Sequence, residues 1–281
     1  MFARYRDWAA VAACAAIAAC GGAESPEVAE EPAAHDEAAR GAVHWGYEGA
    51  EGPEHWAGLS PDFSVCASGR EQSPIDLSGA EEVSGTQLEH LIGEVIVNFD
   101  RRSEILDLID NGHTIQVTPD AEFGLMIDGT RFALAQFHFH SPSEHAIEGV
   151  HYPLEAHFVM SNSEGQLAVL GVLYKEGEHD PAFDLIVSNL PDNVGDARHL
   201  ENLELDIGAL RPLPDVFYEY AGSLTTPPCT ENVRWFVIAE PEELSADQIE
   251  AISSHLHDNA RPLQPLNERE LLRVTAEDRA P

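Results

Sequence analysis

The chain has 281 residues, 43% of them hydrophobic, which is enough to bury a substantial core and argues against wholesale disorder. Its 15 basic against 50 acidic residues give a formal charge of −35, which argues against nucleic acid as a partner, since such binders need basic surfaces. A surface this acidic keeps a protein soluble in salty or strongly charged surroundings.

At the N-terminus, Arg4 and Arg6 precede a short apolar run from Trp8 to Ala19, too short to span a bilayer stably. Residues 1–19 therefore read as an export leader. The run ends in Ile17-Ala18-Ala19-Cys20-Gly21, which looks like a bacterial lipoprotein signal with Cys20 as the first mature residue and the site of lipidation. A secreted protein cleaved near the same place is the rival reading. Either way the protein is expected outside the cytoplasm, periplasmic or at the cell surface, meeting the membrane only through an N-terminal lipid. Residues 20–43 are rich in Ala, Glu and Pro and hold no aromatic residue, so they read as a flexible tether. The domain runs from 44 to 281 and opens on His44-Trp45-Gly46-Tyr47. Cys14 leaves with the leader and Cys20 carries lipid, so Cys66 and Cys229 remain for a disulfide in an oxidising compartment. Two buried free thiols are the alternative.

Within the domain, strands are expected over Val95–Phe99, Thr114–Val117, Phe132–His140, Leu154–Ser161, Leu167–Leu173 and Val233–Ala239. Asn111-Gly112, Asp128-Gly129 and Glu164-Gly165 supply turn signals. Helices are few: Pro181–Leu190 is one candidate. Ser245–Leu256 is the other, opened by a capping box of Ser245 with Gln248. The fold class is mostly β, with helices on the periphery; the oligomeric state stays open, a homodimer included.

Gln136-Phe137-His138-Phe139-His140 alternates polar and apolar with period two. On a strand, His138 and His140 then share one face and Phe137 and Phe139 the other. Glu155-Ala156-His157 repeats the pattern. Three neutral imidazoles from neighbouring strands fill three corners of a tetrahedron and leave the fourth to water, as a catalytic zinc site requires. Gln136 and Glu155, each two residues before a histidine, are candidates to accept an imidazole N–H and fix its tautomer. A second metal reading is open at this point. His138-x-His140-x3-Glu144 followed by Gly149 resembles the first motif of the cupins, in which Glu144 would join the ligands and favour iron or manganese. The glycine spacing ahead of the histidines does not fit that motif, and no second motif follows.

Nine stretches in order resemble the α-class carbonic anhydrases over nearly the whole domain. They are HWGY at 44–47, QSPIDL at 72–77, NGH at 111–113, QFHFH at 136–140, SEH at 143–145 and EAH at 155–157. AVLGV at 168–172, GSLTTPPCTE at 222–231 and NARPLQPLN at 259–267 complete them. The resemblance implies a large, mostly antiparallel twisted sheet of about ten strands. It implies one zinc ion on His138, His140 and His157, and reversible hydration of carbon dioxide to bicarbonate and a proton by zinc-bound hydroxide. Thr225 is then the residue that orients the hydroxide, and Glu144 its hydrogen-bond partner, not a ligand. Val159, Val169, Leu224, Val233 and Trp235 match the apolar wall for carbon dioxide, and Thr226 a position that contacts bicarbonate. His113 matches the proton-shuttle histidine, and Tyr47 a tyrosine that orders cleft water. Cys66 and Cys229 match a disulfide common in exported members. Gln116 stands where vertebrate members often carry asparagine. The remaining histidines, His145, His151, His255 and His257 among them, read as structural or exposed. A carbonic-anhydrase-like binding module without activity is the rival function. It is disfavoured because the three histidines, Glu144 and Thr225 are all present.

Overall fold

Short apolar and alternating runs separated by turn residues satisfy their backbone hydrogen bonds most readily across strands. The computed structural model describes residues 43–84, 95–99, 102–120, 123–127, 129–206, 210 and 216–275. The expected leader, Cys20, the expected tether up to Ala42 and Asp128 of one expected turn lie outside these residues.

In chain order the described strands begin with β1 (Glu81–Ser84), β2 (Val95–Phe99), β3 (Arg102–Asp110), β4 (Ile115–Pro119) and β5 (Phe123–Ile127). Next come β6 (Thr130–His140), β7 (Ala146–Ile147), β8 (Val150–His151), β9 (Leu154–Ser161) and β10 (Leu167–Glu176). The last are β11 (Ala197–Asp206), β12 (Val216–Ser223), β13 (Glu231–Ile238), β14 (Glu242–Leu244) and β15 (Leu271–Thr275). One large sheet has the main path β1-β15-β12-β13-β10-β9-β6-β4-β3-β11, with β14 on β10 and the β2–β5 pair joined at β6. Pairings β1–β15, β10–β13 and β10–β14 are parallel and the others antiparallel, so the sheet is mixed but mostly antiparallel, as expected.

The central strands are covered on both faces, which is why β10 reads as a continuous apolar run instead of an alternating one. Phe137, Phe139, Phe158, Leu170 and Phe236 pack on one side with Ile252. Val169, Leu173, Trp235 and Val237 pack on the other with Ile75 and Leu77. The helix Ala246–Ser253 carries that Ile252 and starts at Ser245, whose side chain and Gln248 form both halves of the capping box. The other expected helix, Pro181–Leu190, is shorter than expected: a 3-10 turn at Pro181–Phe183 leads into a single helical turn at Asp184–Val187. No helix among the described residues is long and apolar enough to cross a membrane.

A third apolar cluster gathers Trp56 and the Cys66–Cys229 disulfide, with Trp45 and Tyr47 against it. The bridge closes a sequence separation of 163 residues. In the chain-entropy model, so long a loop contributes about 5 kcal/mol by restricting the unfolded chain, against about 2–4 kcal/mol typical of disulfides. Replacing both cysteines (Cys66→Ala with Cys229→Ala) is expected to lower the unfolding free energy by that order, read as a reduced urea midpoint with a steeper slope, because the uncrosslinked unfolded chain exposes more surface.

Candidate metal centre

The three histidines meet because of strand register. His138 on β6 pairs directly with His157 on β9, flanked by the pairs Phe137–Phe158 and Phe139–Ala156. The pleat turns Phe137, Phe139 and Phe158 into the aromatic core, leaving His138, His140 and His157 together on the opposite face. Ring centroids lie 5.1 Å (His138–His140), 5.4 Å (His138–His157) and 4.5 Å (His140–His157) apart. One nitrogen from each imidazole falls within 4.8 Å of the other two.

Which nitrogen each ring offers is decided by its neighbours. His138 Nδ1 lies 2.9 Å from Gln136 Oε1, and His140 Nδ1 lies 2.8 Å from the carbonyl of Asn259. His157 Nε2 lies 2.9 Å from Glu155 Oε1. Each acceptor demands a proton on the nitrogen facing it, so the neutral rings present His138 Nε2, His140 Nε2 and His157 Nδ1 as lone pairs. Burial, reinforced by the other two histidines, pushes His138 well below the ordinary histidine range. Burial likewise lowers His140 against the pull of Glu144. For His157 burial also acts downward, but the Glu155 carboxylate outweighs it and raises the ring. His140 Nε2 is buried and hydrogen-bonded to nothing. An orphaned buried nitrogen is costly, and a divalent cation held by all three lone pairs removes that cost. The donor set therefore fits zinc.

Glu155 organises this wall. Its Oε2 accepts from the backbone N–H groups of Glu144 at 2.8 Å and His145 at 2.9 Å. Its Oε1 faces His145 Nδ1 at 2.7 Å as well as His157 Nε2. Burial would raise this carboxyl, but the charges and hydrogen bonds of His145 and His157 hold it well below the usual carboxylate range. Gly171, paired with His157 on β10, makes the room: a Cβ there would stand 3.0 Å from Glu155 Oε1. His145, Glu155 and His157 form a second group close enough to hold an ion. Its donors are already used, however, because His145 Nε2 faces the Tyr220 hydroxyl at 2.6 Å.

Glu144 is fully buried. Its Oε1 accepts from the backbone N–H of Arg261 at 2.8 Å, while Oε2 has no hydrogen bond and lies 3.6 Å from His140 Nε2 and 3.8 Å from His157 Nδ1. Thr225 is buried in a loop closed by Leu224 N–H donating to the Thr230 carbonyl (2.9 Å) and Cys229 N–H to that of Thr226 (2.8 Å). Thr226 is partly exposed. Val169, Val233 and Trp235 belong to the apolar cluster on the histidine side, and Val159 and Leu224 pack against it. Trp235 also lies edge-on to His157, with centroids 4.8 Å apart. His113 sits on the turn between β3 and β4 and stacks flat on Trp45, at 3.9 Å and 7°. Burial, then the neighbouring His44, lowers its pKa from the ordinary 6.5. Burial and the Glu144 charge hold the Tyr47 hydroxyl protonated far into alkaline pH. Gln116 pairs with His138 across β4 and β6.

Sequence reasoning missed Asn259, Arg261, Tyr220 and Ser73. Tyr220 donates from its hydroxyl to Ser73 Oγ at 2.9 Å, continuing the chain from Glu155 and His145. The Arg261 guanidinium reaches the carbonyls of Ser73 (2.8 Å) and Cys66 (2.9 Å) and Gln72 Oε1 (2.9 Å). NARPLQPLN marked this segment as notable, but no local spacing ties it to His140 or Glu144.

Comparison with known proteins agrees with this geometry. A family model described as eukaryotic-type carbonic anhydrase matches residues 51–275. A carbonic anhydrase of Pectobacterium atrosepticum is 41% identical over 238 residues, covering 84% of this chain and 93% of its own. One from Nostoc is 41% identical over 227 residues, covering 81% and 84%. Among solved structures, the α-carbonic anhydrase of Thermovibrio ammonificans in complex with sulfanilamide is 42% identical with a TM-score of 0.75, covering 83% of this chain and all of that one. By sequence and by fold, the chain belongs to the α-carbonic anhydrases.

Proposed function

We propose that this carbonic anhydrase interconverts carbon dioxide and water with bicarbonate and a proton at a single zinc held by His138, His140 and His157. The observation that carries the metal assignment is the set of three lone pairs left over once Gln136, Asn259 and Glu155 have claimed the other nitrogens. The chemistry zinc supplies on such a triad is Lewis acidity toward water, whose deprotonation it brings to about pH 7.

The chain's own residues do the rest. Glu144 Oε1 is committed to the Arg261 N–H and Oε2 makes no hydrogen bond in the structure, with Thr225 or any other group, so Oε2 is the acceptor left to which we assign the Thr225 hydroxyl proton. With that proton given away, Thr225 Oγ1 can only accept from the attacking water, which aims the water's remaining lone pair at carbon. Val159, Val169, Leu224, Val233 and Trp235 give the small apolar substrate a dry wall. Thr226, partly exposed beside Thr225, is the contact for departing bicarbonate. His113 accepts the released proton and passes it to buffer, and the Tyr47 hydroxyl, kept protonated, orders the water between. The export leader, lipidation at Cys20, the 20–43 tether and a periplasmic or surface location belong to the same proposal. They are supported by the leader pattern and by the Cys66–Cys229 disulfide, which persists in oxidising compartments.

Wild type is expected to carry one zinc per chain by elemental analysis and to hydrate carbon dioxide in stopped flow. His157→Ala should lose both. A zinc-loaded wild type without hydration activity would overturn the reading. Gln136→Ala removes one imidazole acceptor and should weaken zinc binding by about 10–100-fold in chelator competition. His113→Ala should lower turnover in weak buffer, and added imidazole should restore it. Because the His113 pKa lies below 6.5, its neutral, proton-accepting form persists down to that value. The His113-dependent part of hydration turnover should therefore fall as pH drops through a midpoint below the ordinary histidine value, and that of dehydration should fall as pH rises through the same midpoint.

A further inference from the structure

Asn259 is fully buried, and every hydrogen-bonding atom of its side chain that can act does so. Nδ2 donates to the carbonyls of His113 and Phe139, both at 2.9 Å. Oδ1 accepts from the Ser141 N–H at 2.9 Å. Its backbone carbonyl meets His140 Nδ1. One amide thus grips both neighbours of His140 on the chain and the His113 carbonyl on a different turn. Thr114 reinforces the join, donating from Oγ1 to the Phe139 carbonyl at 2.6 Å. On its far side the His113 turn is closed on itself, with Asn111 Oδ1 accepting from the N–H groups of His113 and Thr114 at 2.9 Å. Among the described residues, the Asn259 side chain is therefore the one group that bonds both to the backbone of His113 and to the backbone on either side of His140.

We propose that the Asn259 side chain is a positioning residue for proton transfer, fixing the His113 turn in register with the end of β6 that carries His138 and His140. This rests on the reading of His113 as the proton shuttle. Proton transfer through ordered water is steeply sensitive to alignment, and an ångström of misplacement costs on the order of 100-fold in well-aligned reactions. Substitution at 259 leaves the backbone carbonyl for His140 in place, so metal binding and proton transfer respond separately.

Asn259→Asp is nearly isosteric and keeps an acceptor for Ser141, but facing two carbonyl oxygens in a buried site it can donate at most one hydrogen bond, so at least one of the two bonds to His113 and Phe139 is lost. Zinc content should stay at one per chain, while kcat in weak buffer should fall about tenfold or more, further than kcat/KM does, and recover with imidazole. In metal-free protein, exchange of the His113 and Thr114 amides should quicken. The double variant with His113→Ala should turn over no more slowly than His113→Ala alone, because both act through one shuttle. Additive losses, equal falls in kcat and kcat/KM, or no change would overturn the proposal. If His113→Ala alone causes no weak-buffer loss, the shuttle reading itself fails, a different result from a failure at Asn259. Should Asn259→Asp not fold, Asn259→Ser likewise loses at least one of those bonds without a charge. Failure of both to fold would assign Asn259 a purely structural role and overturn the proposal as well.

Discussion

A carboxylate taken out of water must be met by donors on every side, and Glu155 meets that demand with two backbone N–H groups and two imidazoles. Everything near the three histidines inherits geometry from this arrangement. The backbone bonds fix the turn that carries Glu144 and His145. The bond to His157 sets which nitrogen that ring presents. The bond to His145 extends through Tyr220 to Ser73, so the network ends on a segment that also supports Arg261. Gly171 supplies the space, and a side chain there would push into the carboxylate.

The two faces of β6 divide the labour. Phe137 and Phe139 alternate with His138 and His140 along the same backbone and pack into the aromatic core, with Phe137 stacked on Phe158 at 4.9 Å and 21°. A close-packed interior resists displacement. The rigidity of the histidine positions therefore comes from the opposite, aromatic face. The polar face contributes orientation: three acceptors, one per ring.

What was legible in the sequence was local. Period two put His138 and His140 on one face, and Gln136 and Glu155 beside their histidines, because the pleat acts over two residues. Long apolar runs such as β10 declared themselves as strands. The strands β3 and β12 did not. In β3, exposed Asp107 sits between buried Leu106 and Leu108; in β12, buried Glu219 interrupts an aromatic run and pairs with Arg234. Hydropathy counts such carboxylates against a strand, although one is solvated and the other paired. Asn259 and Arg261 were invisible for another reason. Their partners lie 119 residues away at His140 and 195 at Cys66, and only closure of the whole sheet brings them together.

Those separations bear on the order of assembly. A ribosome delivers β6 and β9 long before residues 259–261, and the parallel β1–β15 pair cannot form until the last described strand exists. Contacts so distant in sequence are slow to close, since chain entropy is lost before any bond is gained. The His140 ring has no acceptor for Nδ1, and Glu144 no donor for Oε1, until the C-terminal segment docks. Completion of the proposed metal site is thus a late event in the life of each molecule, and a chain truncated before residue 259 would carry His138, His140 and His157 without a finished site.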